Sequence, residues 1–167
     1  MSRLHKITLL LLISLIVYGC SSADDAQRKF EDEAFREPSN FTRTDPSGNI
    51  IEADPDDWRI GPLFQGFVEI SPAFPNPTTG ELVTIEILVT GLQALNGLEV
   101  VRLDNRGNLR LLYLDDRIPL PTGLSTITFD PLLFADGGTI SNARGLHRVF
   151  IFDNRRNLIS YGDLSIE

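Results

Sequence analysis

The run Leu82 to Val89 places Val83, Ile85, Ile87 and Val89 at alternate positions, with Thr84 and Glu86 between them. A period of two sets these aliphatics on one face of an extended strand and the polar residues on the other, so the segment needs a sheet with one dry side and one wet side. A helix would scatter the same residues around its circumference. A second layer must therefore cover the aliphatic face.

Six more short runs rich in β-branched or aromatic residues follow the same pattern: Gly66 to Ile70, Leu98 to Leu103, Leu109 to Leu114, Ser125 to Phe129, Leu146 to Phe152, and Leu158 to Tyr161 with an extension to Ile166. Gly, Pro, Asn and Asp punctuate the intervals. Seven strands within residues 58–167 predict an all-β, immunoglobulin-like antiparallel β-sandwich. The run Val149-Phe150-Ile151-Phe152 is apolar on both faces. That suits a central strand, or one covered on its outside by Trp58 to Phe64.

Asp104-Asn105-Arg106-Gly107-Asn108-Leu109 is echoed by Asp153-Asn154-Arg155-Arg156-Asn157-Leu158. Asp and Asn bond their own main chain and tolerate left-handed backbone angles, so each copy reads as a tight hairpin loop. Gly107 is the position expected to take a positive φ, and the echoed Arg156 is expected to tolerate Val better. A calcium loop would need alternating carboxylates that neither copy has. Pro131 to Arg144, with Gly137-Gly138, is the longest irregular stretch of the module, suited either to binding or to a plain crossover between sheets.

The first residues, Met-Ser-Arg-Leu-His-Lys, precede an apolar run from Ile7 to Tyr18 and then Gly19-Cys20. A positive start, a short apolar core and a processing site describe a signal peptide over 1–19. The run falls short of the ~20 apolar residues that span a bilayer. Val17-Tyr18-Gly19-Cys20 resembles the lipobox of bacterial lipoproteins, with a bulkier Tyr18 than usual. The resemblance implies lipidation of Cys20, attachment to a membrane through that lipid, and a location in the cell envelope, on the outer membrane, with the cell surface as one of the places it could face. Cys20 is the only cysteine, so no intrachain disulfide forms.

Loss of residues 1–19 removes Arg3 and Lys6 and moves the formal charge from −8 to −10. An acid-rich chain without a basic run is no nucleic-acid binder and is not drawn to anionic lipid by charge. From Ser21 to Asp57, eleven carboxylates face Arg28, Lys29, Arg36 and Arg43. Like charge with little apolar surface predicts a solvated tether over 20–57. Ala26, Phe30 and Ala34 at fourfold spacing admit a short helix over 26–35, ended by Pro38.

Ala73-Phe74-Pro75-Asn76-Pro77-Thr78-Thr79-Gly80 followed by a strand resembles the opening of the C-terminal sorting domains of type IX secretion cargo in Bacteroidetes and relatives. Val100 to Leu112, Gly123 to Asp130 and Gly145 to Val149 resemble later strands of that family in the same order. The resemblance implies a small immunoglobulin-like sandwich over about Phe67 to Glu167, and a role recognised by export machinery. Ser21-Ser22-Ala23-Asp24-Asp25 resembles the export signal of surface lipoproteins in that phylum; a solvated linker reads equally well. The sequence departs from the family in being almost all sorting domain and in closing Asp163-Leu164-Ser165-Ile166-Glu167.

Catalysis needs convergent groups with tuned proton affinities. After signal removal the chain has one histidine, His147, inside a predicted strand beside Arg148, and no nucleophile motif. His147 reads as a packing residue, and no His/Cys metal cluster is available. Asp54-Pro55-Asp56-Asp57 and Asp115-Asp116 read as solvated loop charge rather than a catalytic carboxylate pair. No catalytic residue, metal or cofactor site is expected. Two roles stand: a non-enzymatic envelope module, structural or binding other envelope proteins, and a secretion-linked sorting or accessory domain. An enzyme is a distant third.

Overall fold

The computed structural model describes residues 23–135 and 137–167; the expected signal peptide and the lipid site at Cys20 lie outside the described residues. A helix, α1, covers 23–34. The strands follow in order: β1 (Arg43–Thr44), β2 (Ile50–Glu52), β3 (Arg59–Ile60), β4 (Val68–Ile70), β5 (Val83–Val89), β6 (Leu98–Leu103), β7 (Leu109–Asp115) and β8 (Gly123–Phe129). A short helix α2 (Ile140–Ala143) then precedes β9 (Gly145–Phe152) and β10 (Leu158–Ile166).

All seven expected strands form. One antiparallel sheet has the order β4-β5-β8 and the other the order β3-β10-β9-β6-β7. The first, second and fifth of the seven core strands thus face the other four, an immunoglobulin-like Greek key. Val83, Ile85, Ile87 and Val89 are all buried, as the period of two requires, and share one core with Val100, Val149, Ile151 and Leu164 across the sandwich. Pro131 to Arg144 contains a 3-10 turn over Pro131–Phe134, capped by the Asp130 carboxylate on Leu132 N–H, and α2.

Strand β9 is central, which accounts for its two apolar faces. Its outer face is covered by α1 and not by Trp58 to Phe64: Phe30 and Ala34 are buried with Val101, Phe150, Phe152, Leu158 and Tyr161. Phe35 stacks on Phe150 at 4.9 Å, and Phe30 meets Tyr161 at 5.2 Å. The segment from Trp58 instead adds β3 in the plane of the sheet, beside β10.

The solvated tether expected up to Asp57 is therefore corrected over 23–57. Gln27, Phe30, Ala34, Thr42 and Thr44 are buried, and β1 and β2 form a ribbon bridged to Asn76. The composition is poor in apolar groups, but Phe30, Ala34 and the Gln27 stem fall on one helical stripe, and a stripe is all that docking requires.

The hairpin loop occurs three times. In each, an Asp carboxylate oxygen accepts two main-chain N–H groups: from Arg106 and Asn108 at Asp104 (2.9 and 2.8 Å), from Arg155 and Asn157 at Asp153 (2.9 and 2.8 Å), and from Ser47 and Asn49 at Asp45 (2.8 and 2.9 Å). The third copy, Asp45-Pro46-Ser47-Gly48-Asn49, turns the β1–β2 ribbon. Contrary to the difference expected between Gly107 and Arg156, both are left-handed, with φ of 77° and 65°, and Gly48 matches them at 83°. Asp and Asn chemistry fixes the loop shape strongly enough to hold an arginine there.

Candidate functional site

Arg148 and Asp163 face each other across β9 and β10, so both side chains leave the same face of the sheet. Arg148 Nε and Nη2 donate to the two carboxylate oxygens of Asp163 at 2.7 and 2.6 Å. Both side chains are almost wholly buried, 9% and 3% exposed. Arg148 Nη1 also donates to the carbonyls of Ala34 and Arg36 at 3.0 and 2.8 Å, satisfying acceptors left open at the C-terminal end of α1. Its guanidinium lies 5.1 Å from the Tyr161 ring centre.

Asp57 approaches from the segment before β3. Its carboxylate accepts the N–H groups of Thr42 and Asp163 at 2.7 and 2.9 Å. Burial above all, helped by the nearby charges of Asp163 and Asp54, raises the Asp57 carboxyl to about 7. Burial also raises Asp163, against the pull of Arg148. Asp163 is paired with the guanidinium while Asp57 is held by main-chain N–H groups, so two desolvated carboxylates lie close together, an arrangement in which proton uptake by one of them is favoured.

Asn76, fully buried in Pro75-Asn76-Pro77, braces the same region. Its side-chain amide donates to the carbonyls of Thr42 and Asp163 at 2.8 and 2.9 Å, and its side-chain oxygen accepts from Ser165 N–H at 2.9 Å. Its own carbonyl accepts from Thr44 N–H at 2.8 Å. The Pro-Asn-Pro motif thus sews the β1–β2 ribbon to β10.

A mixed-charge cleft of about 340 Å³ opens beside these residues, lined by Glu33, Arg36, Asp54, Arg59, Tyr161 and Asp163 among others. Arg59 reaches into it, donating to Tyr161 Oη at 2.7 Å and to Glu33 at 3.2 Å. The buried groups at the base fasten α1 and residues 42–57 to the sandwich.

The sequence-predicted candidates are placed as follows. His147 Nε2 lies 2.6 Å from the Ala143 carbonyl and its ring 5.0 Å from that of Phe134, a local packing role. Asp56 and Asp116 are exposed, and Asp115 binds Arg117. Asp57 and Asp115 depart from the reading as solvated loop charge: Thr42 and β10 close over the first, and the second ends β7 with its side chain 10% exposed. Arg148 and Asp163 carry no signal in the sequence: each reads as ordinary strand polarity, and only the register that opposes them reveals the pair. Among the described residues no cluster of three His, Cys, Asp or Glu is arranged to hold a metal, and no helix is long and apolar enough to cross a membrane.

No family model matches the chain, and no curated protein does. Among solved structures, it is similar to the sensor domain of the anti-sigma factor RsgI4 of Pseudobacteroides cellulosolvens, at 12% identity over 61% of this chain and 96% of that one, with a TM-score of 0.39. That overlap is too loose for anything to be transferred between the two.

Proposed function

We propose that this chain is a lipid-anchored, non-enzymatic module of the bacterial cell envelope, structural or protein-binding. The observation that carries this reading is the employment of the buried polar groups. The donors of Arg148 and the carboxylates of Asp57 and Asp163 are spent on holding α1 and residues 42–57 against the sandwich. Groups committed to internal fastening are not poised toward a substrate. Attachment to the membrane rests on the signal-peptide and lipobox pattern ending at Cys20.

The test is fractionation with metabolic labelling. The parent chain should take up radiolabelled palmitate and pellet with membranes, whereas Cys20→Ser should stay unlabelled. Palmitate label on Cys20→Ser, or none on the parent chain, would overturn the anchor.

A second reading, a secretion-linked sorting or accessory domain, is favoured by Asn76 and the ordered run of motifs from Ala73 to Val149. Fusing residues 23–167 behind an exported reporter separates the two. Surface delivery of the reporter through the type IX machinery supports sorting; periplasmic retention of a folded fusion removes it.

A further inference from the structure

Four connections meet at the end of the sandwich from which α1 sets out: residues 61–67, 90–97, 116–122 and 153–157. Main-chain bonds lace them together, from Thr90 N–H to the Phe67 carbonyl (3.0 Å), Gly97 to Arg117 (3.0 Å), Leu120 to Leu95 (2.7 Å) and Asn154 to Asn96 (3.0 Å). Helix α1 joins at the same end, where the Gln27 side chain accepts from Leu63 N–H and donates to the Leu158 carbonyl. Gln27 is one turn from Ala23, and Cys20 is three residues earlier.

Three of these four connections hold a large aliphatic side chain in water: Leu63 at 37% exposed, Leu92 at 78% and Ile118 at 68%. A single exposed leucine needs no explanation. Ile50, Ile51, Leu82, Leu132 and Leu133 are exposed elsewhere, so what singles out these three neighbouring loops is that they stand at the end from which the chain leaves toward Cys20. Arg117 stands next to Ile118, and Arg155 and Arg156 occupy the fourth connection, all exposed.

The geometry points to this end of the sandwich as a surface that rests on the lipid interface. Leu63, Leu92 and Ile118 enter the boundary between headgroups and acyl chains while the arginines stay at the level of the phosphates. The occupant is lipid because the chain departs from this end toward its anchor, so acyl chains on Cys20 bring these loops to the bilayer before any other part of the molecule. For its orientation the inference rests on the lipid-anchor reading. Asp24, Asp25 and Asp116 share this end, so apolar insertion and not net charge supplies the attraction.

The loops are tested without the anchor. Mature chain carrying Cys20→Ser, and therefore unlipidated, is sedimented with vesicles of phosphatidylcholine alone or with added phosphatidylglycerol. Binding is expected to both, with little sensitivity to salt. Leu92→Asp alone should weaken partition about tenfold, and the triple variant with Leu63→Asp and Ile118→Asp by a hundredfold or more. Ile51→Asp, at an exposed position on the ribbon at the opposite end, serves as the control and should change nothing; circular dichroism confirms folding in each. Failure of the Cys20→Ser chain to sediment overturns the inference, as does binding that the triple variant leaves intact or that requires phosphatidylglycerol and vanishes in salt. The anchor itself is judged by palmitate labelling at Cys20, so either idea can fail alone.

Discussion

The indole of Trp58 packs directly over Gly162, so close that a Cβ at that position would clash with the ring atoms Cε2, Cδ2 and Nε1. Trp58 holds a left-handed φ of 57° and donates its main-chain N–H to the Tyr161 carbonyl at 2.7 Å. Only glycine on β10 leaves room for the tryptophan that closes this edge of the core. Gly162→Ala should destabilise by about 1–3 kcal/mol through overpacking, measured as a lower denaturation midpoint. A variant as stable as the parent would show that the indole has somewhere else to go.

Removing one member of a buried ion pair is worse than removing both, because the survivor keeps a desolvated charge. Arg148→Met should cost about 3–5 kcal/mol, whereas Arg148→Met combined with Asp163→Leu should recover much of it. A double-mutant cycle in urea reads the difference directly. Additive effects would mean that the two side chains do not act as a pair.

Protonation of Asp57 tightens the fold. Its folded value of about 7 lies above the ~3.9 of an unfolded aspartate, so its contribution is fully present below about pH 4 and is lost as pH rises through about 7. Asp163, also raised by burial, acts with the same sign. Asp45, Glu81, Asp104 and Asp115 are lowered, chiefly by hydrogen bonds to the carboxylate; they act with the opposite sign, but below the usual carboxylate range. Between pH 5.5 and 8 the melting temperature should therefore fall, and Asp57→Asn should flatten the slope. Over the same range trypsin should cut at Arg36 and Arg43 faster as the pH rises, once corrected for its own pH profile.

The three Asp-to-Asn loops make a matched set. Val should be penalised at Gly107 and at Arg156 alike, by on the order of 1 kcal/mol or more, because both positions are left-handed. Arg156→Gly should be neutral or stabilising, the relief of φ offsetting the lost contact with Glu99 at 3.1 Å. A Val tolerated at 156 but not at 107 would show that the loops differ in solution.

The sandwich was legible because a period of two cannot be satisfied without a second layer, and Val83, Ile85, Ile87 and Val89 display it without ambiguity. The docked segment was not. Summed composition over 20–57 hides that Phe30 and Ala34 share a stripe with Gln27, and that β9 needs a cover for Phe150 and Phe152. The Asp-to-Asn loop is plain in two copies and hidden in the third, since Pro46 and Ser47 disguise it, although Asp45, Gly48 and Asn49 keep its spacing. The fastening site required register: nothing in the order of residues says that Arg148 will face Asp163, or that Asp57 will be pulled from a loop into contact with Thr42 and β10.

The early start of α1 sets how far the domain can stray. A free chain from Cys20 to Trp58 would have 38 links and a typical end-to-end distance of ~35 Å. With residues 23–57 docked, only three links remain, at most ~10 Å when fully stretched. With Cys20 lipidated as proposed, the volume searched by the sandwich shrinks by a factor on the order of tens. A partner embedded in the same membrane meets the domain at correspondingly higher local concentration, and one standing further off meets it only after Asp57, Arg148 and Asp163 have let go.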